Sequence, residues 1–303
     1  MRDKVFTIPI GTAFLPALMR ALINGDLPQP GGAKPDPIDL SGMTILLPTR
    51  RAERALAETC LAVSGRSAML LPRIRSIAGP DEDSLLIGAA AELGPATAAL
   101  ELLPAVDKTE RLLLLTQLVQ RWSEAHRRPD TDPTGALGLG PVPSAGARTP
   151  AQAASMAREL ASLMDLVERE RCDLKGIKEI VPSDLSEHWQ HTLEFLEIIT
   201  DLWPQLLTDL GWTSPWERQN QLLIAEAEQL RRAPPAGPVI VAGVTGSIPA
   251  TVDLMRAVAE LDQGAIVLPG LDLRLDDESW SEIAHGHPEH PDFGFKRLLT
   301  SLD

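Results

Sequence analysis

Tyrosine is absent from this chain, cysteine occurs only twice, and no lysine lies between Lys4 and Lys34. Cys60 and Cys172 lie far apart with no C-x-x-C spacing, so neither a disulfide framework nor a zinc site is indicated and a reducing compartment fits. No apolar run approaches the roughly eighteen residues of a membrane span. The first residues are charged and then strand-like, without the apolar core of a secretory signal. A soluble, cytoplasmic protein with no membrane partner is expected. A basic surplus is missing too: the formal net charge of -14 argues against nucleic-acid binding over the whole surface, although a local basic patch is still allowed.

The chain of 303 residues has room for about two domains. A hydrophobic fraction of 44% is enough for a globular core. Near the N-terminus, Val5–Ile8, Met43–Leu47 and Ser67–Leu71 read as short strands, with helices over Ala13–Leu22 and Arg51–Val63 between them. Strands alternating with helices predict an α/β fold with a mainly parallel sheet. From about Ala90 the pattern turns helical: Ala96–Leu103, Lys108–Ser123, Thr149–Glu170, Ser186–Leu210 and Pro215–Arg231, with Pro129–Arg148 as a linker rich in Gly, Pro and small residues. Strand texture returns at Val239–Gly243 and Ala265–Leu268, around a helix over Ala250–Leu261. The expected organisation is one α/β domain from residues 1–95 and 232–303, with residues 96–231 as an inserted all-helical subdomain.

Each expected strand ends in a proline or glycine corner, and doubly wound sheets bind ligands outside the carboxyl ends of their strands. The first corner, Pro9-Ile10-Gly11-Thr12, stands where a nucleotide-binding domain places its phosphate loop. A working loop needs G-x-x-x-x-G-K-[ST]. Here Gly11 and Thr12 are followed by Ala13-Phe14-Leu15, so the nucleotide site reads as degenerate. The strand Val239–Ala242 runs into Gly243-Val244-Thr245-Gly246, with no acid to hold Mg²⁺, and Asp272, after the later strand, has neither a lysine nor a partner carboxylate beside it. No cofactor and no ATP hydrolysis are expected of this chain. Ser247 lacks the following glycine of a nucleophile elbow.

The stretch Arg50–Arg75 carries Arg50, Arg51, Arg54, Arg66, Arg73 and Arg75 against Glu53 and Glu58, a positive segment in an acidic chain. Arginines at strand ends can hold phosphate oxygens bidentately; a solvated helix face is the alternative. Trp122, Trp189, Trp203, Trp212 and Trp216 offer stacking surfaces, but read better as core or partner-interface residues. His285, His287 and His290 surround Pro288 and read as an exposed loop before a metal site.

An ordered set of motifs carries a resemblance. Val5-Phe6-Thr7-Ile8-Pro9, Thr44-Ile45-Leu46-Leu47-Pro48-Thr49-Arg50-Arg51-Ala52, Leu70-Leu71-Pro72-Arg73-Ile74-Arg75, Gly243-Val244-Thr245-Gly246-Ser247-Ile248-Pro249-Ala250-Thr251 and His290–Leu299 together resemble the N-terminal, helicase-like region of AddB. The likeness is to the alphaproteobacterial form of this subunit of the AddAB helicase–nuclease, and spans nearly the whole chain. It implies double-strand-break repair, a RecA-like (superfamily 1 helicase-like) domain, an AddA-like motor subunit as partner, and single-stranded DNA as ligand. It also implies that Pro48-Thr49-Arg50 matches the motif that touches the single strand. The nuclease of that family has no counterpart in these residues. The DNA-binding candidates are therefore Thr49, Arg50, Arg51, Arg73 and Arg75.

Overall fold

Val239-Ile240-Val241-Ala242 is apolar at every position because both of its faces are covered. In the computed structural model, which describes residues 2–28, 39–65, 68–77, 102–125, 149–173 and 194–302, this segment is the central strand of a parallel sheet. The strands are β1 (Val5–Ile8), β2 (Thr44–Leu47), β3 (Arg73–Ser76), β4 (Val239–Ala242) and β5 (Gly264–Pro269). Their order is β1-β5-β4-β2-β3, and every pairing is parallel. Among the described residues the α-helices are α1 (Phe14–Asn24), α2 (Arg50–Ser64), α3 (Lys108–Ala125), α4 (Pro150–Glu170), α5 (Trp203–Leu210), α6 (Pro215–Arg232), α7 (Pro249–Glu260), α8 (Asp277–Gly286) and α9 (Phe293–Leu302). The fold class is α/β.

The chain divides into two compact units, one made of Met1–Leu102 with Gln219–Asp303, the other of Leu103–Arg218. In the first unit, successive side chains of each inner strand enter opposite layers, as the two-residue period of a strand requires. Ile45, Leu47, Ile240, Ala242, Ala265 and Val267 pack against Leu18, Met19 and Leu22 of α1 and Leu56 and Cys60 of α2. Leu46, Val239, Val241, Ile266 and Leu268 pack on the opposite face against α6, α7 and α9. The connection β2–α2–β3 moves one way across the sheet on the first face. The connection β4–α7–β5 moves the other way on the second face, so the two crossovers have the same hand.

The third strand is displaced from its expected place. Ala68 to Pro72 are irregular, and the strand runs from Arg73 to Ser76. Ser67 lies outside the described residues. Leu70 and Leu71 are apolar yet 59% and 40% exposed, whereas Arg73-Ile74-Arg75 pairs with β2 in register Thr44 with Arg73 and Leu46 with Arg75. Backbone pairing overrides side-chain propensity here, because β3 has a neighbour on one side alone among the described residues. Pro72 accordingly precedes its strand instead of closing it.

In the second unit α3 packs on α4 through Leu115, Val119 and Trp122 against Ala153, Ala157, Leu160 and Met164. Thr149 and Gln152 form a reciprocal capping box at the start of α4, with Pro150 in the first turn. Residues 194–210 are helical throughout, with a π turn at Ile198–Leu202 in which the Trp203 N–H donates to the Ile198 carbonyl. The cause is Pro204, which has no N–H to offer the Thr200 carbonyl. A polar cluster completes this unit: Arg111 pairs with Asp165, and Ser214 Oγ donates to Glu168 at 2.5 Å. Burial pushes the Glu168 carboxyl above its ordinary range, opposed by that hydrogen bond and by Arg111. The expected helix at Ala96–Leu103 and the linker Pro129–Arg148 lie largely outside the described residues, as do 186–193.

Candidate nucleic-acid interface

The sheet order fixes where a ligand crevice belongs. Strand β2 is followed by a connection toward β3, and its neighbour β4 by a connection toward β5, so the winding reverses between these two strands. At such a switch point the two βα corners diverge and leave a crevice outside the strand ends. The corners that flank it are Pro48-Thr49-Arg50 and Gly243–Ser247.

On the β2 side, Thr49 is extended and its Oγ1 accepts from the Ala52 N–H at 3.2 Å, capping α2. Arg50 and Arg51 follow in the first turn, both exposed, with Arg54 exposed one turn on. Glu53 is the acid of that turn. Two cations at a helix N-terminus oppose the helix dipole, which favours anions there.

On the β4 side, Gly243 takes φ +72 and donates its N–H to the Val267 carbonyl at 2.9 Å. A Cβ at this position would lie 3.2 Å from the Phe14 ring and 3.7 Å from Pro48 Cδ. The ring of Phe14, the first residue of α1, therefore lies where the ends of β2 and β4 meet. From the other layer, a Cβ on Gly246 would come within 2.6 Å of Leu298 on α9. Phe14, Pro48 and Leu298 thus stand against the two glycines, and Gly243–Ser247 carries no lysine and no carboxylate. Sequence reading missed Phe14, which looks like one more apolar residue of an amphipathic helix; the signal was its place directly after the loop.

Gly11 and Thr12 sit elsewhere. The Thr12 N–H donates to the Pro9 carbonyl at 3.2 Å, and Gly11 at φ +85 supplies the positive dihedral of a tight turn. Ile10 at its tip is 81% exposed. Among the described residues β1 pairs with β5 alone, so this corner is at the sheet edge. Thr7 binds it to β5, its Oγ1 donating to the Leu268 carbonyl at 3.3 Å and accepting from the Leu271 N–H at 3.0 Å.

The structure does not bring the five DNA-binding candidates together. Thr49, Arg50 and Arg51 share the carboxyl edge. Arg73 is in register with Thr44, at the opposite edge, about 10 Å back along the strands. Arg75 shares a strand face with Arg73 and pairs with Glu226 of α6 at 2.7 Å, while Ile74 points into the α1/α2 layer. The two sets of arginines thus occupy opposite faces. Arg66 lies outside the described residues.

Trp122 and Trp203 are core residues of the second unit, Trp122 meeting Phe195 edge-on at 5.0 Å. Trp212 packs at the border of the same core, and Trp189 lies outside the described residues. Trp280, in the first unit, carries Lys296 Nζ 4.7 Å above its ring. Among the described residues no three His, Cys, Asp or Glu side chains gather as metal ligands. His287 Nδ1 is 3.2 Å from Glu289, and His290 Nδ1 accepts from the Asp292 N–H at 3.1 Å; the His285 side chain lies outside the description. Asp272 is gripped by Arg274 through both carboxylate oxygens, which with the Arg274 N–H lowers its pKa to about 2. The buried Cys60 thiol is pushed up to about 11 by desolvation. Among the described residues no helix is long and apolar enough to cross a membrane.

No protein-family model and no curated protein matches this chain.

Proposed function

We propose that this chain is a non-catalytic, helicase-like scaffold that holds single-stranded DNA at the carboxyl edge of its sheet and docks a motor subunit. On the resemblance drawn from its motifs, it is the N-terminal region of an AddB-type subunit, with a RecA-like domain, an inserted helical subdomain and an AddA-like partner. The observation that carries the reading is the junction of β2 and β4. The topology reverses there, exposed Arg50 and Arg51 crowd the first turn of α2, and the crevice beside them is closed by Phe14 against Gly243 and by Leu298 against Gly246. A phosphate of the strand at this helix terminus is attracted by both cations and by the dipole that the cations otherwise oppose. The filled crevice, without lysine or acid, supports a scaffold over an ATP-hydrolysing domain.

Anisotropy of a labelled single-stranded oligonucleotide, followed across a salt titration, tests this. Arg50→Glu and Arg51→Glu are each expected to weaken binding and to lower the salt slope by about one phosphate contact or more. Arg73→Glu, at the far edge and on the other face, is expected to leave both unchanged. Loss of binding in Arg73→Glu alone moves the strand to that other face. Absence of binding at low salt leaves a protein-docking module, and tight Mg²⁺-dependent ATP binding reinstates a nucleotide-driven helicase domain.

A further inference from the structure

We infer that Glu168 is a proton-operated lock on the root of the second unit: the root closes more firmly when this carboxyl takes up a proton from solvent, and loosens when the proton leaves. The inference is independent of the strand-holding reading above and concerns a charge cluster that the reading does not use.

The root is where the chain enters and leaves the unit. Ala105 and Thr213 form a parallel bridge, with the Val106 N–H donating to the Thr213 carbonyl at 3.0 Å and the Thr213 N–H to the Pro104 carbonyl at 2.9 Å. Each connector then runs straight into a helix cap. Asp107 accepts from the Thr109 N–H at 2.7 Å at the start of α3, and Ser214 Oγ accepts from the Glu217 N–H at 3.2 Å at the start of α6. Glu168, in the last turn of α4, is tied to this root, because the same Ser214 hydroxyl donates to its carboxylate.

The surroundings make this a poor place for a negative charge. Ser214 is 3% exposed, so contact with it draws the carboxylate away from water. The last turn of a helix favours cations over anions. The first turn of α6 favours an anion, but Glu217 already stands there. Glu217 repels Glu168, and so does Asp165, one turn back on α4. Arg111 of α3 attracts it, yet Arg111 Nη1 is committed to Asp165 at 2.5 Å. The other charged groups of the root are engaged elsewhere: Arg218 donates to the Leu103 carbonyl, Arg169 pairs with Glu170 at 3.5 Å, and the Asp107 carboxylate caps α3. Burial is the largest cause that lifts the Glu168 carboxyl above its ordinary range.

Opening the root returns the carboxyl to water and to its ordinary acidity. A carboxyl that holds its proton more tightly closed than open favours the closed root in acid. That gain is complete below the ordinary carboxylate range and is lost as the pH rises through the higher value of the closed root. At neutral pH the root is therefore held below its full strength.

Hydrogen exchange of the full chain, followed by NMR between about pH 8 and pH 5, tests this above the ordinary titration of carboxylates. The amides to follow are those of Val106, Thr213 and Glu217, with the intrinsic effect of pH divided out. Their protection is expected to rise by about twofold or more on acidification. Glu168→Gln keeps an acceptor for Ser214 without the charge. Its amides are expected to be better protected at pH 8 than those of the unaltered chain, and to show no such rise. Titration of the Glu168 side-chain carboxyl in the unaltered chain needs no variant, and is expected to run above that of glutamate in an unfolded peptide. Lower protection in Glu168→Gln at pH 8 overturns the lock, because the charge itself then holds the root through Arg111. Protection that ignores pH, or a carboxyl that titrates in the ordinary range, overturns it as well.

Discussion

Two corners of this sheet look alike in sequence and behave differently in structure. The corner after β1, Pro9-Ile10-Gly11-Thr12, and the corner after β4, Gly243-Val244-Thr245-Gly246, both follow an apolar strand and both lead to a helix without a side-chain cap. The first is an exposed turn at the sheet edge, held by the Thr12 to Pro9 hydrogen bond and by Ile10 resting beside Gly270. The second lies at the topological reversal and is packed from both layers, by Phe14 and by Leu298. Position in the strand order, which no short motif encodes, separates a corner that merely turns the chain from one that lines a crevice.

The largest expected difference between them is in their glycines. Gly11→Ala meets nothing within 4 Å and suffers only the left-handed backbone, a loss of about 1–2 kcal/mol. Gly243→Ala carries the same backbone strain and also pushes a methyl against the Phe14 ring, for a total of about 2–4 kcal/mol. Chemical denaturation of the two variants decides it. Equal losses break the comparison, because they mean that the ring gives way freely and that the crevice is no tighter than the edge turn.

A smaller effect concerns the caps. Thr49→Ala removes the acceptor of the Ala52 N–H and is expected to lower stability by about 1 kcal/mol. Ala13→Ser offers an acceptor at α1 to the Leu15 N–H alone, because position 16 is proline and has no N–H, and is expected to raise it by about 0.5 kcal/mol.

Much of this architecture was legible in the sequence, for physical reasons. Strands β2, β4 and β5 announce themselves because both faces are buried and Ile45–Leu47, Val239–Ala242 and Ala265–Leu268 are apolar at every position. The helices over Arg50–Ser64, Pro150–Glu170 and Pro249–Glu260 follow from their apolar spacing and from Thr49, Thr149 and Pro249 at their starts. Strand β3 was misplaced, because an edge strand with arginines at alternate positions has the composition of a loop, while exposed Leu70 and Leu71 have that of a strand. The split of the arginines between two faces was equally hidden. It depends on Arg75 meeting Glu226, a residue 151 positions away. The place of the Phe14 ring against Gly243 needed the strand order, which sets β4 beside β2 although almost two hundred residues of chain separate them.

The smallest effect is a pH dependence that belongs to one corner only. Asp272 follows β5, the neighbour of β1, and its carboxylate accepts from Arg274 Nε and Nη2 at 3.0 Å each. The Arg274 side chain first, and its backbone N–H second, lower the pKa from 3.8 to about 2. A carboxylate whose folded pKa lies below its unfolded value is held preferentially in its charged form. The local stabilisation is therefore complete above about pH 4 and disappears as the pH falls toward 2. Because the pair is solvent-exposed, salt weakens it further. Between Pro48 and Arg51, and between Gly243 and Ser247, there is no carboxylate to titrate. Acidification from pH 5 to pH 2 is thus expected to shift the backbone resonances of Leu271–Leu275, with Asp272→Asn abolishing the shift and the resonances of Gly243–Ser247 unmoved by that substitution. If those resonances follow Asp272 as well, the two corners communicate across β5, and the difference between an edge turn and a crevice is one of degree.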